Sequence, residues 1–67
     1  MIYTRHFIEY NISKSQCETN ILRDVNALIS DLRIQDSNII EYKTNICETE
    51  HNGCMMWKYE VIISWWA

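Results

Sequence analysis

Residues 46–57 read Ile46-Cys47-Glu48-Thr49-Glu50-His51-Asn52-Gly53-Cys54-Met55-Met56-Trp57, and the Asn-Gly pair in this stretch decides the fold. Asn-Gly supplies the two positive φ angles of a type I′ turn, so residues 38–66 are predicted to form a β-hairpin. With His51 opposite Cys54, the numbers of every cross-strand pair add up to 105. This register collects large apolar residues on one face. Its pairs are Ile40 with Trp65, Tyr42 with Ile63, Thr44 with Val61, Ile46 with Tyr59, and Glu48 with Trp57.

A helix is predicted from about Gln16 to Arg33, before the hairpin. Apolar residues recur there at helical spacing and form one stripe. The stripe consists of Ile21, Leu22, Val25, Leu28, Ile29 and Leu32. Ser15 followed by Glu18 has the pattern of a capping box, so Ser15 is the expected N-cap.

The segment from about Ile2 to Ile12 alternates like a strand, although both of its sides carry apolar groups. We expect the side with Ile8 and Tyr10 to face the helix. The chain is thus predicted to be a single α+β domain, residues 1–67, with the order β-α-β-β. The most apolar strand is the last, and it is expected in the centre of a three-stranded antiparallel sheet with the helix on one face. An arrangement with the first two strands adjacent and parallel is the alternative.

The composition favours a small folded protein in a reducing compartment. Of the 67 residues, 48% are hydrophobic, with one glycine and no proline. Three cysteines are an odd number and too few for a disulfide-rich scaffold, and the N-terminal segment does not resemble a signal peptide. No apolar run reaches the roughly 20 residues that cross a bilayer. We therefore expect a cytoplasmic protein with no membrane partner.

The sheet face opposite the helix is the expected interaction surface. In the predicted register it presents apolar side chains that a soluble monomer rarely exposes together. These are Tyr3, Phe7, Ile39, Met56, Ile62 and Trp66. Equal numbers of acidic and basic side chains make this face locally neutral, which suits pairing with a second copy. A homodimer is predicted, and a frayed C-terminal end with Trp66 folded back over the sheet edge is the alternative.

The acidic flank of the helix, formed by Glu18, Asp24 and Asp31, is a second candidate site. Such a strip can imitate a phosphate backbone and dock onto a nucleic-acid-binding protein. Its simpler interpretation is a solvated helix face. The formal net charge of −3 disfavours nucleic acid itself as a partner, since affinity for it rests on Lys and Arg. An aromatic sheet face that stacks on a small ligand, a nucleotide or single-stranded nucleic acid is nevertheless an alternative function.

No constellation of residues predicts an enzyme, a cofactor or a metal site. Cys47, His51 and Cys54 are zinc-ligand types, but along a strand Cys47 and His51 would lie about 13 Å apart. A disulfide between Cys47 and Cys54 fails for the same geometric reason. His6 and the cysteines lack the glycine-lined turn or cleft that a nucleophile and its base require.

The stretches IYTRHF, LRDVNALISDL and NIIEYKTNI, followed by an apolar C-terminal strand, resemble short β-α-β-β proteins of Bacillus-type bacteria and their phages. The family in question contains small sporulation-associated proteins, and the hairpin end CETEHNG and the paired tryptophans depart from its pattern. In architecture, the chain is also similar to acidic phage inhibitors of host enzymes. These resemblances imply no catalytic residues. They imply a phage-encoded, homodimeric inhibitor that occludes the surface of a host enzyme or defence system, or else a sporulation-type accessory or regulatory protein.

Overall fold

The computed structural model describes residues 1–67 and consists of one helix on a three-stranded antiparallel sheet. Strand β1 spans Ile2–Asn11, helix α1 spans Lys14–Asp31, β2 spans Ile39–His51 and β3 spans Cys54–Trp66, with a 3₁₀ turn at Asp36–Asn38. Strand β3 lies between β1 and β2 and pairs antiparallel with both. The predicted β-α-β-β order and the central position of the last strand are confirmed, and the parallel alternative is wrong.

The turn of the hairpin is the predicted type I′ turn. Asn52 and Gly53 have φ angles of 53° and 80°. A type I′ turn requires a positive φ at both of its central positions. Pairing starts with His51 opposite Cys54 and keeps the predicted register as far as Glu41. The short-range signal in the sequence was therefore sufficient to set the register of most of the hairpin.

The first residues of β2 depart from this register. Ile39 opposes Trp65, and Ile40 is the extra residue of a β-bulge. Ile40 is half exposed, whereas Ile39 packs against the core on the helix side. The predictions that Ile40 opposes Trp65 and that Ile39 lies on the opposite face are wrong, because one inserted residue reverses the sides of a strand.

The core between helix and sheet consists of two small clusters of buried residues. One contains Ile21, Val25 and Val61, and the other contains Ile34, Ile63 and Trp65. Phe7 and Ile29 are partly buried and pack against both clusters, so they join them. Seven of the 67 residues are buried, which leaves much of the apolar surface of the chain in contact with solvent.

Strand β1 turns the side opposite to the predicted one toward the helix. Phe7 packs against both core clusters, and the ring of Tyr3 stacks on that of Trp65 with centroids 5.9 Å apart. Ile8 lies on the other face and is 47% exposed. The predictions that Tyr3 and Phe7 lie on the uncovered face, and that Ile8 and Tyr10 face the helix, are wrong. Burying the aromatic ring of Phe7 removes more apolar surface from water than burying Ile8 would.

Helix α1 begins two residues before the predicted start. Ser13 is its N-cap, and the Ser13 hydroxyl accepts a hydrogen bond from the Gln16 backbone N–H at 3.3 Å. The Ser13 carbonyl accepts from the Cys17 N–H at 3.0 Å. Ser15 is already inside the helix, so the predicted capping box between Ser15 and Glu18 is wrong.

The other end of α1 closes in a Schellman motif with an arginine in the position that glycine usually holds. Arg33 has a φ of 53°, and its N–H donates to the Ser30 carbonyl at 3.2 Å. The Ile34 N–H donates to the Ile29 carbonyl at 2.9 Å. A left-handed conformation costs a non-glycine residue about 1 kcal/mol. The tertiary contacts of Ile34, which is buried against the sheet, offset this cost.

Helix α1 packs on β1 and β3, so it covers two of the three strands. On the same side of β2, Tyr42 stays 45% exposed. The hairpin strands have 13 residues each and extend beyond the 10 residues of β1, which makes the molecule elongated, with dimensions of 40 × 17 × 15 Å. The helix lacks the combination of length and apolar character that a membrane span needs.

Candidate interaction surfaces

The sheet face away from α1, here called the uncovered face, carries the even-numbered residues of β1 and β3. Ile2, Ile8 and Trp66 expose 55%, 47% and 54% of their surface there, and Ile62 is half-buried. Of the predicted interface residues, the structure places Met56, Ile62 and Trp66 on this face, at alternating positions of β3. The other three predicted interface residues belong to the helix side, as described above.

A row of polar side chains crosses the centre of the uncovered face. Glu60 lies between His6 and Lys58, with Oε2 2.9 Å from His6 Nε2 and Oε1 3.0 Å from Lys58 Nζ. The hydroxyls of Thr4 and Ser64 are 2.8 Å apart. Hydrogen bonds from Lys58 and His6 lower the pKa of Glu60, and the same bond to Glu60 raises the pKa of Lys58. The carboxylate of Glu60 is thus paired with the ammonium group of Lys58 within one chain.

Tyr10 and His51 stack near the turn end of the hairpin. Their ring centroids are 3.9 Å apart and the planes differ by 10°. The contact joins β1 to β2 across β3, so it ties the two outer strands together. Sequence reasoning missed this pair because the two residues are far apart in the chain and belong to strands that do not pair directly.

The predicted acidic strip is shorter than expected. Asp24 and Asp31 are seven residues apart, hence only about 20° apart around the helix axis, and both line one shallow depression next to Arg5. Glu18 precedes Asp24 by six residues and points about 120° away from it. The structure therefore brings Asp24 and Asp31 together beside a cation, and it places Glu18 on a different flank of α1.

The cysteines are separate from one another and from the histidines. Cys17 is buried, its thiol donates to the Glu9 carbonyl at 3.3 Å, and burial raises its pKa. A thiol of raised pKa is a poor nucleophile. Cys47 and Cys54 are free and exposed. No three His, Cys, Asp or Glu side chains are grouped closely enough to hold a metal ion.

A groove lies on the helix side of the sheet, where the end of α1 meets the end of β3. Its volume is about 380 Å³, and six of its eight lining residues are apolar, among them Tyr3, Leu32 and Trp65. Its polar lining residues are Arg33 and Asn38. Sequence reasoning missed the groove because its residues come from separate segments. The one available signal was an arginine where a helix would ordinarily end in glycine.

Comparison of the chain with protein-family models, with curated proteins and with solved structures found no match. The function is therefore inferred from the surfaces of this chain alone. Among them, the uncovered face exposes Ile2, Ile8 and Trp66, and the groove is lined by Tyr3, Trp65 and the same Trp66.

Proposed function

We propose that this chain is a non-enzymatic protein-binding module that works as a homodimer. The observation that supports this most directly is the set of exposed apolar side chains on the uncovered face, Ile2, Ile8 and Trp66. No other element of the chain packs on this face, so a second molecule is needed to remove these groups from water. A standard interface buries about 800 Å² per partner. That is roughly a sixth of the 4736 Å² surface of this chain, an area that one sheet face can supply.

The charges of the uncovered face support pairing between identical surfaces. Lys58 lies 3.0 Å from Glu60, and Lys43 lies 3.8 Å from Glu41. These two pairs carry no net charge, so the face does not repel a copy of itself. Across a two-fold axis, a lysine of one copy can also approach a glutamate of the other.

A phage-encoded inhibitor that occludes a host enzyme or defence protein is the concrete form that we propose, acting in the host cytoplasm. The formal net charge of −3 and the neighbouring carboxylates of Asp24 and Asp31 suit a target with a basic groove. A dimer formed through the uncovered face leaves α1 of each copy on the outside. Both acidic flanks then remain free to contact the target.

Stacking of a nucleotide or of single-stranded nucleic acid on the uncovered face has less support. Tyr3 and Phe7 face the helix, so Trp66 is the one residue of the three expected aromatic contacts that stays on that face. Tyr10 also lies there, but its ring is already stacked on His51. A stacking platform needs several free rings in a positively charged groove.

Sedimentation velocity tests the dimer. We expect the wild type to sediment with the mass of two chains, Ile62→Glu to sediment as one chain, and Trp66→Ala to dissociate at higher concentration than the wild type. Leu22→Glu is the control, because Leu22 is an exposed apolar residue of α1 away from this face. Circular dichroism checks that each variant is folded. A wild type that stays monomeric at millimolar concentration, or a dimeric Ile62→Glu variant, would contradict the proposal.

Target capture is tested separately. The tagged chain is incubated with a low-GC bacterial lysate, and the captured proteins are identified by mass spectrometry. We expect the double variant Asp24→Asn, Asp31→Asn to lose its specific target, and Glu18→Lys, which changes the net charge by the same amount, to keep it, since Glu18 lies on another flank of α1. Equal loss in both variants would show that total charge matters and that the Asp24 and Asp31 flank does not.

A further inference from the structure

We propose that the groove beside Trp65 binds a small aromatic carboxylate. The groove lies where the end of α1 meets the end of β3 and shares Trp66 with the uncovered face, but a small-molecule site there goes beyond the dimer and the target binding proposed above. It rests on three observations, which are an aromatic slot of suitable size, a single cation at that slot, and a backbone that holds this cation at a cost to the helix.

The slot is apolar and has an aromatic floor. Trp65 and Ile34 are only 6% and 9% exposed, whereas Tyr3 and Leu32 are about half exposed and form the sides. The rings of Tyr3 and Trp65 stack at 5.9 Å with planes 25° apart. A planar ring placed in the groove can extend this stack. The volume of about 380 Å³ lies in the range of small-molecule sites and accommodates one or two fused rings.

Arg33 supplies the positive charge of the groove. It lines the groove and takes part in none of the four ion pairs of the structure, so its guanidinium is free to bind an anion. Its φ of 53° is one that glycine adopts without strain. An arginine at this position therefore lowers the stability of the helix end, and it gives the groove its one cation.

A carboxylate matches this cation best. The planar guanidinium donates two parallel hydrogen bonds to one carboxylate, which fixes both the distance and the orientation of the ligand. Asn38 offers a second polar group at the groove. A diphosphate would need more cations than the single one available, and the net charge of −3 opposes a highly charged anion.

The groove is held in place on both sides. The hydrogen bonds of the Schellman motif fix Arg33 and Ile34, at 3.2 Å and 2.9 Å. Ala67 also lines the groove, and its N–H donates to the Met1 carbonyl at 3.0 Å. A site ordered before the ligand arrives loses less conformational entropy on binding.

Isothermal titration calorimetry with two probes tests the charge requirement. Indole-3-acetate carries a ring and a carboxylate, and indole-3-ethanol has the same ring with a neutral hydroxyl. We expect the wild type to bind the acid at least about tenfold more tightly than the alcohol, as a charged hydrogen bond to Arg33 implies. Binding of neither probe, or equal affinity for both, would overturn the proposal.

The variant Arg33→Gly separates binding from folding. Glycine is favoured at this left-handed position, so the unfolding temperature should stay equal or rise. The preference for the acid over the alcohol should disappear. Arg33→Lys keeps the charge without the planar fork, so we expect an intermediate preference.

Arg23→Gln is the matched control, because it removes the same charge from an exposed position of α1. We expect it to bind both probes as the wild type does. An Arg33→Gly variant that keeps the full preference for the acid would refute the assignment of Arg33. The sedimentation mass of Arg33→Gly should equal that of the wild type, so a failure of the groove proposal is distinguishable from a failure of the dimer proposal.

Discussion

The two faces of β3 contrast in what their side chains contact. Toward the helix, Val61, Ile63 and Trp65 lie in the core, with exposures of 0%, 0% and 6%. Away from it, Lys58, Glu60 and Ser64 form hydrogen bonds with their neighbours, and Trp66 is exposed. Adjacent residues of β3 thus have different surroundings, the core for one and the exposed surface for the next, because successive side chains of a strand point to opposite faces.

The two faces of β3 contribute unequally to the stability of the fold. Burying one large aliphatic side chain contributes about 1.5–3 kcal/mol, whereas an exposed ion pair contributes about 0–1 kcal/mol. The helix side therefore supplies most of the free energy of folding. The uncovered face contributes little to it and can be used for recognition.

The largest difference in the free energy of unfolding is expected between alanine substitutions of two neighbouring isoleucines, Ile63 and Ile62. Ile63→Ala removes a fully buried side chain and should lower the free energy of unfolding by about 2–5 kcal/mol, enough to unfold much of so small a domain. Ile62→Ala, on the other face, should cost clearly less in the monomer. Urea denaturation followed by tryptophan fluorescence, at a concentration where sedimentation shows a monomer, measures both variants. Equal losses would mean that the two faces do not differ as described.

A second comparison tests the orientation of β1. Phe7 joins the two core clusters, so Phe7→Ala should cost about 2–3 kcal/mol, somewhat below the range for a fully buried aromatic residue. Ile8 is 47% exposed, and Ile8→Ala should cost less than about 1 kcal/mol. The same denaturation experiment decides between them. A larger loss for Ile8 would restore the orientation expected from the sequence.

A smaller effect concerns the start of the helix. Ser13→Ala removes the N-cap hydrogen bond to Gln16 and should lower stability by about 1 kcal/mol. Ser15→Ala should change stability little, because Ser15 is inside the helix, where alanine has the higher propensity. Thermal unfolding monitored by circular dichroism compares the two. If Ser15→Ala were the more damaging substitution, the capping box of Ser15 and Glu18 would be the correct description.

The smallest expected effect is the pH dependence of the polar row. Lys58 and His6 lower the pKa of Glu60 below its ordinary value of 4.5. The carboxylate therefore contributes stability above that pH, and the contribution is lost as the pH falls through the lowered pKa of the folded state. We expect the difference in unfolding temperature between wild type and Glu60→Gln to disappear in acid.

Glu48→Gln is the control for this titration, since Glu48 is exposed and forms no ion pair. It should unfold at the temperature of the wild type across the whole pH range. A difference for Glu60→Gln that grows in acid would have the wrong sign for a carboxylate stabilised in its charged form.

Local signals in the chain were sufficient for the elements and for most of the hairpin. Asn52-Gly53 determined the turn, and the turn determined which residues of β2 and β3 oppose one another as far as Glu41. The strongly apolar last strand indicated its own central position, because a central strand of a small sheet has the least contact with water. These signals act over a few residues or over one whole strand, so they can be identified without a structure.

The candidate site was predicted less completely. Met56, Ile62 and Trp66 lie on the uncovered face because they share a strand whose register the turn had set. Tyr3 and Phe7 were assigned to the wrong face because both sides of β1 are apolar. The alternation of side chains along the strand therefore does not show which side is buried. The groove at Arg33 depends on segments that meet only in the folded chain.

The sequence by itself determined that the chain forms a β-α-β-β sheet with a type I′ hairpin and a central last strand. Only the tertiary structure decided which side of β1 is buried, where the bulge at Ile40 falls, and that Arg33 ends the helix at an aromatic groove. The physical reason is that turn geometry and strand polarity are local properties of the residues involved. Burial depends on how well whole surfaces pack, and the ring of Phe7 packs between helix and sheet against both core clusters.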